Sequence, residues 1–320
     1  MNNQKHKFTD AQRKQMIAYE AFLRRAAASE LPFMLKGSFI TRQYFPEHIN
    51  RLTNDLDWVC LEPLTDVGIA RELLNRWMLA ITHQTLNDGV RFKIFTETPV
   101  WESLDYAMHD DFPTVSAAVV CWVDGEMVEL TVDVSLNLHI DYPPVSITYY
   151  PLRGESFILE KTAPLSLQVA WKIHQCLIGI RIKDLFDLTY LVQHPSFDQM
   201  VQEQALKALI NECHIDNIDL NRLKAFWEYD ITKTGYQDTK EFIQIFDQFK
   251  QAMISAGFNT QLMANLPEPD IHECRLKLNA PIDQLNTPNI HIEAHETVIV
   301  ARVHAEKEHS LNAITKSPII

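Results

Sequence analysis

Two apolar runs meeting at Asp124-Gly125 constrain this chain more than any other segment. Asp-Gly is a preferred pair for a two-residue hairpin turn, in which both central residues need positive φ. The incoming run, Val115 to Val123, is rich in valine and alanine. The return strand alternates. Val128, Leu130, Val132, Val134, Leu136 and Leu138 take one face, and Glu129, Thr131, Asp133, Ser135 and Asn137 take the other. Asp133 therefore stands on the polar face of an otherwise apolar strand.

Upstream, Thr9 and Gln12 form a capping box ahead of Met16, Tyr19, Leu23 and Ala26, which recur at helical spacing. A helix is expected from Thr9 to Ala28, ended by Leu31-Pro32, with Phe33-Met34-Leu35 beginning a short buried strand. Gly37-Ser38 turns the chain into a second helix that Pro46 stops. Asp55 to Cys60 reads as a strand, and Asp66 opens an amphipathic helix through Val67, Ala70, Leu74, Trp77 and Met78. Asn87-Asp88-Gly89 is a turn before a strand from Val90 to Phe95. After Pro151 the character changes. Ser166 is expected to cap a helix carrying Leu167, Ala170, Trp171, His174, Leu177 and Ile178, and another helix spans Lys183 to Gln193. Helical patterns continue to residue 257, and 270–320 holds short strand-like runs. The chain reads as α/β (α+β) first and mostly helical second.

At 320 residues two domains are the natural expectation. The cysteines Cys60, Cys121, Cys176, Cys213 and Cys274 are widely spaced and include no Cys-x-x-Cys pair, which points to reduced thiols in a cytoplasmic protein. No signal peptide or membrane span is legible. A net charge of −13 excludes a general nucleic-acid binder and leaves room only for a local basic approach.

Three features of the first half belong together. The Gly37-Ser38 turn, where strand becomes helix, offers free backbone N–H groups and a hydroxyl to a triphosphate. Asp55 and Asp57, two apart on a strand, share a face, while Leu56 and Trp58 point inward. Two adjacent carboxylates repel unless a hard divalent cation lies between them, and Asp133 is the third candidate if the two strands are neighbours. In the second half Lys172 interrupts an apolar helix, and Asp184 and Asp187 are i, i+3 neighbours, so that an internal ion pair or a solvated face competes with a catalytic role. His291, Glu293 and His295 alternate and suggest zinc, but with no fourth ligand a polar hairpin face is the better reading.

The segments Phe33-Met-Leu-Lys-Gly-Ser-Phe-Ile40, Arg51-Leu-Thr-Asn-Asp-Leu-Asp-Trp58 and Lys172-Ile-His-Gln-Cys-Leu-Ile-Gly-Ile-Arg-Ile-Lys-Asp-Leu-Phe-Asp-Leu188 resemble the nucleotidyltransferase AbiEii toxin family of bacterial type IV toxin–antitoxin systems. Gly179 stands where that family often has Arg, with Arg181 close by. The resemblance implies a polymerase-β-like nucleotidyltransferase core over 1–155, a helical domain over 156–260 that completes the active site, and a tail over 261–320. It implies catalytic roles for Asp55, Asp57, Lys172 and Asp184, and metal ligation (Mg²⁺ or Mn²⁺) by Asp55 and Asp57, to which strand logic adds Asp133. The NTP would be held by Lys36, Gly37, Ser38 and Lys172, with Arg51, Thr53, Arg181, Lys183 and Asp187 in support. The implied acceptor is RNA, namely the 3′ end of a tRNA, and the implied partner is a cognate antitoxin that need not touch the toxin.

Two rival readings stay open. An acidic surface mildly favours nucleotidylation of a small molecule or a protein, and a catalytically silent relative would serve as a binding or regulatory module. Three structural expectations follow. Asp133 must share a face with Asp55. An RNA acceptor would need Arg24, Arg25, Arg42, Arg51, Arg181 and Lys183 along its approach. Lys172 must find either phosphates or Asp184 and Asp187 as partners, and in the first case its removal should cost turnover with little stability.

Overall fold

The computed structural model describes residues 8–46, 49, 51–95, 101–104, 113–223, 240–258, 268–269, 276–280 and 285. Cys274, the His291/Glu293/His295 set and most of the 261–320 segment lie outside the described residues. The first helix, α1 (Asp10–Ala27), carries the expected capping box between Thr9 and Gln12. After it come β1 (Phe33–Lys36), a single turn α2 (Ser38–Thr41) that continues as a 3₁₀ turn (Arg42–Tyr44), and β2 (Leu56–Cys60). The helix expected after Gly37 is thus little more than two turns, and Asp55 sits one residue ahead of its strand. Asp66 caps α3 (Val67–Thr82), its side chain accepting from the N–H groups of Gly68 and Ile69. Strands β3 (Val90–Phe92) and β4 (Glu102–Leu104) precede the long hairpin β5 (Thr114–Val123) and β6 (Glu126–Ser135). Asp124 and Gly125 have φ of 51° and 89°, as a two-residue hairpin turn of this hand requires. β6 stops at Ser135, short of Leu138, because Asn137 enters the left-handed region at φ 58°.

Strands β7 (Val145–Tyr149) and β8 (Phe157–Thr162) complete an eight-stranded mixed sheet in the order β3-β5-β6-β2-β1-β8-β7, with β4 also on β5. The helices that follow are α4 (Leu165–Ile178), α5 (Ile182–Leu191), α6 (Gln199–Ile215) and α7 (Lys240–Ser255). Pro164, not Ser166, stands at the N-cap of α4, and Ser166 is buried inside the first turn. The proline fits because its fixed φ and missing N–H cost nothing at a helix start.

One face of the sheet is a single apolar layer. Phe33, Leu35, Leu56, Trp58, Val132 and Val134 pack there with Phe22 of α1 and Trp77 of α3. The opposite face is divided along the strands. Met34 and Val59 are covered by Leu138 and Ala163 with Trp171 of α4 packed against them, while the next residues along, Lys36 and Asp57, line a cavity. A second apolar cluster, built from Leu177, Leu188, Leu209 and Phe249 among others, holds α4 to α7 together. The α+β sheet layer followed by helices is the fold class expected of a polymerase-β-like core.

Arg25 is the structural pin of the sheet layer. It is 0% exposed, donates to both oxygens of Asp88, and donates to the carbonyls of Ala21, Gln84 and Val90. Arg25→Ala strands those acceptors and should lower stability by about 3–5 kcal/mol, as removal of one partner from a buried pair does. Chemical denaturation checks this, and a loss below about 1 kcal/mol would contradict it.

Candidate active site

Strand register builds the site. β1 and β2 are antiparallel with Lys36 opposite Asp57, β2 and β6 are parallel with Asp57 opposite Asp133, and β5 places Ser116 opposite Asp133. Lys36, Asp57, Asp133 and Ser116 therefore form one row across four adjacent strands, all on one face because paired residues share a face. Asp55 joins from two residues upstream. Ligand atoms of Asp55, Asp57 and Asp133 lie within 4.8 Å of one another. Asp133 thus shares a face with Asp55, as the alternation of β6 required. Ser116 Oγ donates to Asp133 Oδ1 at 2.6 Å. Burial pushes the Asp133 carboxyl up to about 6, with the Asp57 and Asp55 charges adding to it against the Ser116 bond. Burial and the neighbouring Asp57 also raise Asp55, against the pull of Lys183, Lys36 and Arg51.

Three converging carboxylates, two of them held above their ordinary range, are a donor set whose repulsion a cation would relieve. All-oxygen ligands at this spacing suit Mg²⁺ or Mn²⁺. Gly37 shows how tightly the cluster is built. At φ 72° it lies so close to Asp57 that an added Cβ would sit 2.0 Å from Asp57 Oδ2. Beside it, Ser38 Oγ is buried with no hydrogen-bond partner. A buried hydroxyl without a partner at a strand-to-helix turn is a donor waiting for a ligand oxygen.

The helical half forms the other wall of the same cavity. The one proton of Thr41 Oγ1 is shared between the Gly37 carbonyl at 3.0 Å and Gln168 Oε1 of α4 at 3.1 Å. Lys172 reaches Asp187 Oδ2 at 2.8 Å and Asp184 Oδ1 at 3.3 Å. Arg51, in the loop before β2, holds the other oxygen of Asp187 at 3.0 Å, and Arg181 bonds Asp184 and Gln175. Burial penalises the Lys172 ammonium, but the Asp187 and Asp184 carboxylates outweigh it and hold its pKa above the ordinary lysine value. Asp187 likewise stays below the ordinary carboxylate range, since Lys172 and Arg51 overcome its burial.

Of the residues singled out from sequence, Lys36, Gly37, Ser38, Arg51, Asp55 and Asp57 line the cavity from the sheet side. Lys172, Arg181, Lys183 and Asp184 line it from the helices. Asp187 lies behind them as the bridge between Lys172 and Arg51, and Thr53 is buried with its hydroxyl on Met16 Sδ. The expected basic approach divides. Arg51, Arg181 and Lys183 are at the cavity, whereas Arg25 is spent on Asp88, Arg24 stacks over Phe157 and Arg42 pairs with Glu20. Lys172 also departs from the expected choice of partners: it pairs with both acids and faces the cavity. Removing it leaves Asp187 to Arg51 alone and Asp184 to Arg181 alone, both acids still buried, so stability falls along with any chemistry. The sequence reading missed Gln168, Trp171, His174 and Gln175 of α4, together with Glu212 and Asp216 at the end of α6. The polar stripe Gln168-Lys172-Gln175, at i, i+4, i+7 on an apolar helix, was a usable signal.

The family model described as "Nucleotidyl transferase AbiEii toxin, Type IV TA system" matches residues 21–264, and this chain belongs to that family of nucleotidyltransferase toxins. Among solved structures it is similar to JHP933 from Helicobacter pylori, at 15% identity and a TM-score of 0.43 over 81% of this chain and 97% of that one. It is also similar to MenT4, the nucleotidyltransferase toxin Rv2826c from Mycobacterium tuberculosis H37Rv, at 12% identity and a TM-score of 0.46 over 78% of this chain and 88% of that one. No curated protein sequence matches it. Among the described residues no helix is long and apolar enough to cross a membrane.

Three outcomes test the site. Mg²⁺ should raise the melting temperature, because a cation relieves the repulsion among Asp55, Asp57 and Asp133. Protons compete for the same oxygens below the Asp133 value of about 6, so the Mg²⁺ effect should be large near pH 8 and small near pH 5. Without Mg²⁺ the sign is the reverse of an ordinary ion-paired carboxylate. The folded form of Asp133 binds its proton more tightly than the unfolded chain does, so its share of stability grows as pH falls from about 6 towards 4. A Mg²⁺ shift that is equal at both pH values would count against the triad. Gly37→Ala must displace Asp57 and should abolish the Mg²⁺ shift, which differential scanning fluorimetry can show.

Proposed function

We propose that this chain transfers an NMP from an NTP to an acceptor hydroxyl, with RNA, namely the 3′ end of a tRNA, as the acceptor. The observation that carries the reading is the convergence of Asp133 on Asp55 and Asp57, which share one cavity with the Gly37-Ser38 turn and Lys172. Asp55, Asp57 and Asp133 would hold two Mg²⁺ or Mn²⁺ ions, whose charge would be shared between the attacking and leaving oxygens at phosphorus. Gly37 and Ser38 bind the β and γ phosphates through backbone N–H groups and the free hydroxyl, helped by Lys36. Lys172 and Arg51, held in place by Asp187, stabilise negative charge that develops on the phosphates. The acceptor oxygen attacks the α-phosphorus as the bond to the β-phosphate oxygen breaks, pyrophosphate departs, and the hydroxyl proton passes to the carboxylate cluster. Asp184 orients Lys172, and the helices from α4 onward complete the site that the sheet begins. Arg181 and Lys183 are placed to meet an incoming polyanion.

The cytoplasm, where NTPs and tRNA are found, is the compartment this reaction needs, and the buried, unpaired Cys60, Cys121, Cys176 and Cys213 suit it. Family membership brings the expectation of a cognate antitoxin, acting with or without direct contact.

The test is transfer of label from α-labelled NTPs, with Mg²⁺, into total cell RNA or protein. RNA should be labelled, with activity falling steeply as salt rises, because counterions are released from the acceptor's phosphates. Asp57→Asn should stay folded, since it removes one of three mutually repelling carboxylates, yet lose transfer by about a thousandfold, an effect on the scale of a lost electrostatic group. A folded Asp57→Asn protein with wild-type transfer would contradict the reading. Salt-insensitive labelling of protein or a small molecule would overturn the RNA acceptor alone.

A further inference from the structure

Ser116 lies on β5 between β4 and β6, a place inside the sheet where a β-branched or aromatic side chain packs better than a serine. It is 9% exposed, and a buried hydroxyl costs free energy unless it is hydrogen-bonded. The inner face of the same strand, Val115, Ala117, Val119 and Cys121, is apolar throughout. On the other face hydroxyls stand only at the end that meets the carboxylates. Thr114 donates to Ser135 Oγ at 3.3 Å and Ser116 donates to Asp133 Oδ1 at 2.6 Å. Ala118 and Val120 follow on that face, away from the carboxylates.

The Ser116 bond constrains a candidate metal ligand. β6 lies between β5 and β2, so Ser116 and Asp57 flank Asp133 from opposite sides. A hydroxyl has one proton, and here it goes to a carboxylate oxygen at the short distance of a charge-assisted bond. One oxygen of Asp133 is thereby engaged on the β5 side, which leaves the other for a cation on the side of Asp57 and Asp55. Asp55, Asp57 and Asp133 each offer one ligand oxygen, and these lie within 4.8 Å of one another. Divalent cations differ in what they ask of such a carboxylate. Mg²⁺ needs near-ideal octahedral geometry and is held through few carboxylates. Ca²⁺ is larger, takes more oxygens at longer distances, and accepts both oxygens of one carboxylate. A two-oxygen grip by Asp133 requires both of its oxygens to turn to the same ion, and the Ser116 bond opposes that turn.

We propose that Ser116 is a positioning residue, which holds Asp133 as a single-oxygen ligand and so favours Mg²⁺ or Mn²⁺ over Ca²⁺. This rests on the reading of Asp55, Asp57 and Asp133 as a divalent-cation site and extends it. Ser116 acts through Asp133, in the way that hydrogen bonds to a metal's ligands orient them and set affinity.

The test is Mn²⁺ binding to the full-length protein without nucleotide, followed by the electron paramagnetic resonance of the free ion, with Mg²⁺ and Ca²⁺ as competitors. Melting temperatures in EDTA show that each variant is folded. Ser116→Ala should weaken Mn²⁺ and Mg²⁺ about tenfold or more, the scale on which loss of a ligand-orienting bond acts. Ca²⁺ should weaken by about threefold or less, so that the preference for the smaller ions narrows. Ser116→Thr, which keeps the hydroxyl, should restore the wild-type preference. A folded Ser116→Ala protein that binds all three cations as the wild type does would overturn the proposal and leave the cation site standing. So would one that weakens all three equally, since a merely structural contact does not discriminate between ions. A wild type that binds no cation, or that binds as well after Asp57→Asn, would overturn both.

Discussion

Repulsion among three carboxylates that the sheet forces together is the constraint on which the rest of this structure depends. Register leaves Asp57 no alternative, since it is paired with Lys36 on one side and Asp133 on the other. Gly37 packs so close to it that any side chain there would collide with the carboxylate. Such a cluster costs folding free energy, and the apolar layer of Leu56, Trp58, Val132 and Val134 on the reverse face is large enough to hold the strands in place against it. The partial compensation is local. Lys36, Lys183 and Arg51 pull the Asp55 carboxyl back towards its charged form, and Ser116 does the same for Asp133. What remains uncompensated is repulsion among the three carboxylates.

The helical half depends on the same cluster through Arg51. That residue lies in the loop leading to Asp55 and is clamped to Asp187, which also holds Lys172. The ion network therefore ties the approach to β2 to α4 and α5, and it sets a fixed place for the lysine facing the carboxylates. A buried pair of this kind adds little net stability against a well-packed apolar alternative, and its retention is better understood as positioning. Thr41 and Gln168 make a second tie between the two walls, beside the Gly37-Ser38 turn.

Much of this was legible in sequence where one dominant local signal acted. The Asp124-Gly125 turn and the alternation of β6 set the face of Asp133, and counting back from that turn would also have paired it with Ser116. The capping box of α1 and the Asp66 cap of α3 formed as read. Readings that needed tertiary information fared differently. Ser166 looked like a cap, but Pro164 reached the position first and left the serine inside. Arg25 looked like a basic surface residue, and only the fold reveals the carbonyls of Gln84 and Val90 converging on it. Glu212 and Asp216 were passed over because α6 reads as an ordinary amphipathic helix until α4 is packed against it.

The most direct measurement of the central claim is a crystal structure of the protein grown with Mn²⁺ and a non-hydrolysable NTP, with anomalous scattering used to locate the metal. The account predicts manganese peaks ligated by Asp55, Asp57 and Asp133, with the terminal phosphates against Gly37 and Ser38. A triphosphate bound elsewhere, or manganese absent from the three carboxylates while the nucleotide is present, would contradict it.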